Sequence, residues 1–258
     1  MAPDFYREYL KAEHSQNRKK ALAVMNPVKA WAMSFLIREH EARGDKIIIF
    51  SESVFALQLY AKAYGAIVLT GDTPQRERDH FIHAFRTSED VNKMFLSRVG
   101  DVALDVPDAN VIIQISSHFG SRLQEAQRMG RILRKGTRSG AAGQSFFYSL
   151  ISQDTMEMYF ANKRRRYLVD QGYAYKVVPA WPGLLPTQEA LRDAAHLPLM
   201  RTQEARNAVL TQVLLSSELE ELEAREARDF SEFMGAGGEE PAGHTACVVL
   251  VRVWSTQK

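Results

Sequence analysis

The residues best suited to chemistry lie on one segment, Ser121 to Arg134, which reads SRLQEAQRMGRILR. Gln124, Gln127, Arg131 and Arg134 are separated by three, four and three residues, which aligns them along one stripe of a helix. Guanidinium groups keep their charge and bind phosphate oxygens through paired hydrogen bonds. Such a stripe can stabilise the negative charge that develops on a transferring phosphoryl group.

The alternative for this segment is a solvated basic helix face. Leu123, Ala126, Gly130 and Leu133 form an adjoining apolar stripe, which puts the arginines at the edge of a buried surface. A glycine inside a helix costs about 1 kcal/mol relative to alanine, so Gly130 indicates close backbone approach. The ordered pattern Q-x-x-Q-R-x-G-R-x-x-R after a buried strand favours an arginine face at a groove over the solvated face.

The elements that must position this segment alternate between short apolar runs and helical patterns. Continuous apolar runs are typical of strands buried on both faces of a parallel sheet. Strands are predicted at residues 46–50, 66–69, 93–97, 111–115 and 145–150. Their alternation with helices predicts an α/β fold, a mostly parallel sheet with helices on both faces. Functional groups should then lie in the loops after Phe50, Leu69, Ser97 and Ile115.

The sequence predicts three regions. Residues 1–25 form a charged helical segment that makes apolar contacts through Tyr6, Tyr9 and Leu10. Residues 26–178 form the α/β domain. Its first helix has Asn26 as the N-cap and Pro27 at the first position, and it ends at Gly44.

The third region, residues 179–258, is predicted to be an acidic, helical and flexible C-terminal extension. Its helical stretch covers residues 201–233, and residues 247–254 are interpreted as either a stray strand or a disordered end. Within the second region, Ser51 and Ser53 are both candidate caps for the helix that follows the first strand.

Charge is distributed unevenly along the 258 residues. Residues 1–178 hold 26 Lys and Arg against 19 Asp and Glu, whereas residues 179–258 hold 7 against 12. The basic part suits a polyanionic ligand, although ordinary surface variation explains it equally well. The lone Cys247 excludes an internal disulfide, and no apolar stretch is long enough for a membrane span. These features predict a cytosolic or nuclear protein.

Four segments resemble motifs of superfamily two helicases, in the order and spacing of that family. Residues 127–134 resemble motif VI, residues 95–107 motif V, residues 46–53 motif IV, and residues 70–78 the G-x-x-x-Q-x-x-R segment. The more specific resemblance, over about residues 4–178, is to the XPB family. It rests on residues 4–9 (DFYREY), 25–27, 55–57, 115–118, 124–128, 146–149, 153–155 and 163–175.

The resemblance implies roles for particular residues. Arg131 and Arg134 are the arginine-finger candidates, with Gln127, Arg128 and Asp105 as supporting groups near ATP. The candidate DNA contacts are Ser97, Gly100, Gly71, Thr73, Gln75, Arg78 and Arg122. The sequence departs from the family pattern at residues 118–123, which read HFGSRL, and at Val102 and Ala103.

The resemblance also implies a second RecA-like domain of a 3′-to-5′ DNA helicase that works in the nucleus with DNA, TFIIH-type subunits and its own first RecA-like domain. ATP and Mg²⁺ would be bound mainly by that first domain, because this sequence contains neither G-x-x-x-x-G-K-[ST] nor D-E-x-H. We therefore expect no ATP hydrolysis by this chain alone. The alternative function is a non-catalytic RecA-like module that binds DNA or a subunit.

Two further patterns leave several interpretations open. His80 and His83 form an H-x-x-H on a helix, but Asp79 alone does not complete a metal site. Residues 163–166, KRRR, are consistent with a DNA-facing patch, a nuclear address or a solvated helix face.

Overall fold

The structure, a computed structural model, describes residues 1–97, 109–116, 146–170, 173–179, 198–232 and 249–255. Its helices are α1 (Pro3–Lys11), α2 (Gln16–Val24), α3 (Pro27–Glu41), α4 (Val54–Tyr64), α5 (Gln75–Thr87), α6 (Met156–Asp170), α7 (Pro198–Arg201) and α8 (Gln203–Glu232). Its strands are β1 (Ile47–Phe50), β2 (Ile67–Leu69), β3 (Lys93–Leu96), β4 (Val111–Gln114), β5 (Phe146–Ile151), β6 (Tyr173–Pro179) and β7 (Val249–Ser255).

The strands form one seven-stranded sheet in the order β2-β3-β1-β4-β5-β7-β6. The first five strands pair in parallel, with β1 between β3 and β4. Helices pack against both faces, so the predicted α/β architecture with a mostly parallel sheet is confirmed. All five predicted strands exist within one or two residues of their expected bounds.

The far edge of the sheet is antiparallel, which the sequence did not predict. Strand β7 pairs with β5 on one side and with β6 on the other. Of the two interpretations of residues 247–254, a stray strand or a disordered end, the structure has the strand, which is paired on both sides, whereas β6 was not predicted. Strand pairing joins backbone groups that are far apart in sequence, so an edge strand leaves little local pattern.

Alternate residues of β1 point into two separate cores. Ile47 and Ile49 lie in the core that the sheet forms with α1 to α4, α7 and α8. Ile48 lies in the smaller core with α5 and α6. Burial on both faces accounts for the continuous apolar run in this strand.

The N-terminal segment is two helices, not one. Helix α1 ends at Lys11, and Ser15 caps α2 by accepting a hydrogen bond from the Arg18 backbone N at 3.1 Å. Phe5 and Tyr9 are buried on one face of α1, as their spacing of four residues requires. Leu10 falls on another face and is 50% exposed, so the prediction that it contacts the core is wrong.

Helix α3 begins as predicted. The Asn26 side chain accepts a hydrogen bond from the Val28 backbone N at 3.2 Å, and Pro27 occupies the first helical position. The helix ends at Glu41, and Gly44 then takes a positive φ of 73°, a conformation that favours glycine.

The helical tail packs onto the N-terminal helices. Trp31 Nε1 donates to the Met200 carbonyl at 3.1 Å, and Val209 and Val213 are buried in the core that contains Phe5. The predicted helical stretch is confirmed as α8, while the domain boundaries at residues 25/26 and 178/179 stay predictions. Within the described residues, no helix is long and apolar enough to cross a membrane.

Candidate functional site

The carboxyl ends of β1 and β4 mark the point where the chain changes direction across the sheet. After β1 the chain runs to β2 on one side, and after β4 it runs to β5 on the other side. Loops that diverge in this way leave a crevice at the carboxyl edge, which is where open α/β sheets bind ligands. The loops predicted to carry function start at this edge.

Serine side chains join the loops after β1 and β4. Ser51 Oγ lies 2.8 Å from Ser116 Oγ, and Ser116 Oγ accepts a hydrogen bond from the Glu52 backbone N at 2.7 Å. Of the two candidate caps of α4, Ser53 takes the role, since its Oγ accepts from the Ala56 backbone N at 3.2 Å. These bonds fix the two loops relative to each other.

The loop after β2 brings three predicted DNA-contact residues together. Thr73 Oγ1 accepts from the Thr70 backbone N at 3.0 Å, which leaves the Thr73 hydroxyl proton able to donate. Arg78 donates to the Thr73 carbonyl at 3.1 Å and to Gln75 Oε1 at 3.3 Å. Gly71 and Gln75 are exposed in the same segment.

The remaining predicted site residues divide into two groups. Ser97 is buried directly after β3, and its backbone N donates to the Leu69 carbonyl at 3.0 Å, beside the loop after β2. The others lie outside the described residues: Gly100, Asp105, Arg122, Gln127, Arg128, Arg131 and Arg134.

A buried ion pair that sequence reasoning missed lies at the same edge. Lys29 is 1% exposed, and its Nζ donates to both carboxylate oxygens of Glu157 at 2.9 and 2.7 Å and to the Ile115 carbonyl at 2.9 Å. Burial lowers the pKa of Lys29, and the neighbouring Glu157 carboxylate acts in the opposite direction. Three acceptor oxygens around one nitrogen match the three N–H groups of an ammonium ion.

Glu157 is in turn held by Ser152 in the turn between β5 and α6, and Ser152 contacts the end of α2. Its Oε2 accepts from the Ser152 backbone N at 2.7 Å. Ser152 Oγ accepts from Asn26 Nδ2 at 3.0 Å and donates to the Ala23 carbonyl at 2.7 Å. The signal that could have revealed this network is that Lys29 interrupts an otherwise apolar stretch of α3, residues 27–33.

The residues of the basic run 163–166 lie on different faces of α6. Arg164 is buried, whereas Lys163, Arg165 and Arg166 are exposed, and Lys163 Nζ lies 4.2 Å from the centre of the Tyr159 ring. The interpretations left open for this run therefore concern three residues rather than four. In the part of the chain that the structure describes, no group of three or more His, Cys, Asp or Glu could hold a metal ion.

A family model described as the ERCC3/RAD25/XPB C-terminal helicase matches residues 1–239. The chain belongs to this family. It is 45% identical over 232 residues to the general transcription and DNA repair factor IIH helicase/translocase subunit XPB of Antonospora locustae, covering 90% of this chain and 32% of that relative. To the XPB1 subunit of Arabidopsis thaliana it is 54% identical over 190 residues, covering 70% and 25%.

This member of the XPB C-terminal helicase family thus spans about a quarter to a third of the length of these relatives. Among solved structures, the C-terminal part of the Fun30 ATPase domain matches with a TM-score of 0.43 and 21% identity, covering 51% of this chain and 43% of that one.

Proposed function

We propose that this chain is the C-terminal motor half of an ATP-dependent, 3′-to-5′ DNA helicase or translocase that acts in transcription initiation and nucleotide-excision repair. The observation that carries the proposal is that the segments resembling motif IV and the G-x-x-x-Q-x-x-R segment reach the carboxyl edge of the sheet after β1 and β2, and that the segment resembling motif V begins in β3. The first RecA-like domain would bind ATP and Mg²⁺, and the ion would neutralise charge on the phosphates. The names of the relatives, subunits of general transcription and DNA repair factor IIH, support TFIIH-type partners, and a nuclear location is part of the same proposal.

In this proposal, Arg131 and Arg134 reach the triphosphate held by the first RecA-like domain. Water attacks the γ-phosphorus, the bond to the bridging oxygen breaks, and ADP leaves with phosphate. The guanidinium groups stabilise the charge that develops on the phosphoryl oxygens. Gln127, Arg128 and Asp105 support the nucleotide, and the chain alone is inactive because it supplies only this half of the site.

The loop after β2 would hold the DNA backbone. The Thr73 hydroxyl can donate to a phosphate oxygen while it accepts from Thr70. Arg78 adds positive charge, and its bonds to Thr73 and Gln75 keep the loop in one shape. Ser97, Gly71, Gly100 and Arg122 are the other proposed DNA contacts.

DNA-stimulated ATPase activity of the complete native protein tests the motor role. We expect Arg131→Ala and Arg134→Ala each to lower turnover by about a hundredfold or more while ATP binding survives. The isolated 258-residue chain should be inactive. Unchanged turnover in both variants would favour the alternative, a non-catalytic RecA-like module that binds DNA or a subunit.

DNA affinity measured as a function of salt tests the loop after β2. Arg78→Ala should weaken binding and reduce the salt dependence by about one phosphate contact. Arg76→Ala is the matched control, because Arg76 is an exposed residue of the same helix and is not among the proposed contacts. Equal effects of the two substitutions would reject a specific role for Arg78.

A further inference from the structure

We propose that Lys29 is a positioning residue for the ATP-hydrolysis step, because its ammonium group fixes the Ile115 carbonyl at the point where the chain leaves β4 toward Arg131. This inference rests on the proposed function. Lys29 touches neither the nucleotide nor the DNA in this account and acts only through the backbone that it holds.

Both backbone polar groups of Ile115 form hydrogen bonds. Its backbone N donates to the Phe50 carbonyl at 2.9 Å, and its carbonyl accepts from Lys29 Nζ at 2.9 Å. The next residue, Ser116, is held by Ser51 Oγ and the Glu52 backbone N. The segment that contains the finger arginines therefore begins from a backbone position with little freedom.

The charge on Lys29 needs an explanation other than stability. A buried ion pair is often no more stabilising than well-packed apolar residues of similar volume, because both charges lose their hydration. An apolar side chain at position 29 would fill the same space but could not hold the Ile115 carbonyl. The ammonium group can, and Glu157 orients it through two further hydrogen bonds.

Glu157 is itself a rigid partner. The Ser152 backbone N donates to Oε2, and the Glu157 backbone N donates to Thr155 Oγ1 at 3.2 Å. Thr155 Oγ1 donates in turn to the Ser152 carbonyl at 2.6 Å. The turn between β5 and α6 thus fixes the position of the Glu157 carboxylate. The carboxylate orients the Lys29 ammonium group, and that group holds the Ile115 carbonyl.

The test is DNA-stimulated ATPase turnover of the complete native protein that carries Lys29→Met together with Glu157→Gln, which removes both charges of the buried pair. We expect kcat to fall by about tenfold or more, since small misplacements of catalytic groups are costly. The melting temperature and DNA affinity should stay close to those of the wild type. The double variant His40→Gln, Asp45→Asn is the control, because it replaces a buried pair at the other end of α3, and its kcat should not change.

Glu157→Asp alone is the second variant, in case the double variant does not fold. It keeps a carboxylate charge beside Lys29 but withdraws it by one methylene group, and we expect its kcat to fall in the same direction by a smaller factor. Wild-type turnover in either folded variant, with Arg131→Ala strongly impaired, would overturn the role of Lys29 and leave the proposed function standing. Wild-type turnover of Arg131→Ala would instead reject the proposed function.

Discussion

Helix α3 has a buried ionisable side chain near each end, and the structure holds the two in different ways. Lys29, near the start, is a charged donor that joins Glu157 and Ile115 at the carboxyl edge of the sheet. His40, near the end, lies at the amino edge, where Nδ1 is 2.7 Å from Asp45 Oδ2 and Nε2 is 3.0 Å from Tyr148 Oη.

The network of His40 fits a neutral ring. Burial lowers the pKa of His40, and Asp45 acts in the opposite direction. In the neutral form, Nδ1–H donates to Asp45 while Nε2 accepts from the Tyr148 hydroxyl, so both partners are satisfied without a second buried charge. Asp45 also accepts from Asn110 Nδ2, which ties the residues before β1 and β4 together.

The comparison indicates different tasks for the two edges. A neutral network is enough to join strand starts, and none of the proposed motif contacts lies in that network. A fully charged pair occurs where the chain leaves β4 toward the proposed arginine fingers. We infer that the amino edge serves stability alone, while the carboxyl edge serves stability and function.

The largest predicted effect is a difference in stability loss between the two buried pairs. Removing the acidic partner leaves a buried charge in one pair and a neutral ring in the other. Glu157→Ala leaves the Lys29 ammonium buried without its partner, and we expect a loss of about 3–5 kcal/mol in the free energy of unfolding. Asp45→Ala leaves a neutral imidazole, and we expect about 1–3 kcal/mol. Urea unfolding of the 258-residue chain measures both, and equal losses would contradict the assigned charge states.

An intermediate effect should distinguish the two termini of α3. Asn26→Ala removes the N-cap and the bond to Ser152, so we expect a loss of about 2 kcal/mol. Gly44→Ala should cost about 1 kcal/mol, because an added Cβ meets no atom within 4 Å and only the positive φ is penalised. Thermal unfolding of both variants measures the two losses. A larger loss for Gly44→Ala than for Asn26→Ala would contradict the assignment of the stronger stabilisation to the start of α3.

The smallest predicted effect is a pH dependence of the free energy of unfolding that arises from the His40 imidazole. Because the pKa of His40 is lower in the folded state, the unfolded chain binds more protons as the pH falls through the unfolded value of about 6.5. Stability is therefore full above that pH and declines below it. Melting temperatures of wild type and His40→Gln between about pH 5 and 7 test this; the variant should show a shallower slope, and identical slopes would exclude His40 as the source.

Much of the fold was predictable because its signals are local. The apolar run of β1 and the cap at Asn26 depend on neighbouring residues, and the structure confirms both. Strand β6 was not predicted, and β7 was only one of two alternatives, because their pairing joins segments that are distant in sequence. Leu10 was misassigned because it lies on a different face of α1 from the buried Phe5 and Tyr9.

The candidate site was predictable where its residues belong to one sequence motif. It was not predictable where tertiary packing brings together residues that are distant in sequence. Thr73, in the loop after β2, and Gln75 and Arg78, at the start of α5, come together as their closeness in sequence suggests. Lys29 and Glu157 are 128 positions apart, and no periodicity connects them. Only the occurrence of a lysine within an apolar stretch of α3 pointed to burial, and nothing local identified its partner.

Hydrogen exchange of the complete native protein, with and without DNA and a non-hydrolysable ATP analogue, tests the difference between the two edges most directly. We predict that the ligands slow amide exchange after β1, β2 and β4, at residues 51–54, 70–75 and 115–134. Exchange at the amino edge, at residues 42–46 and 109–111, should not change. Protection confined to the amino edge, or none at the carboxyl edge, would contradict the account.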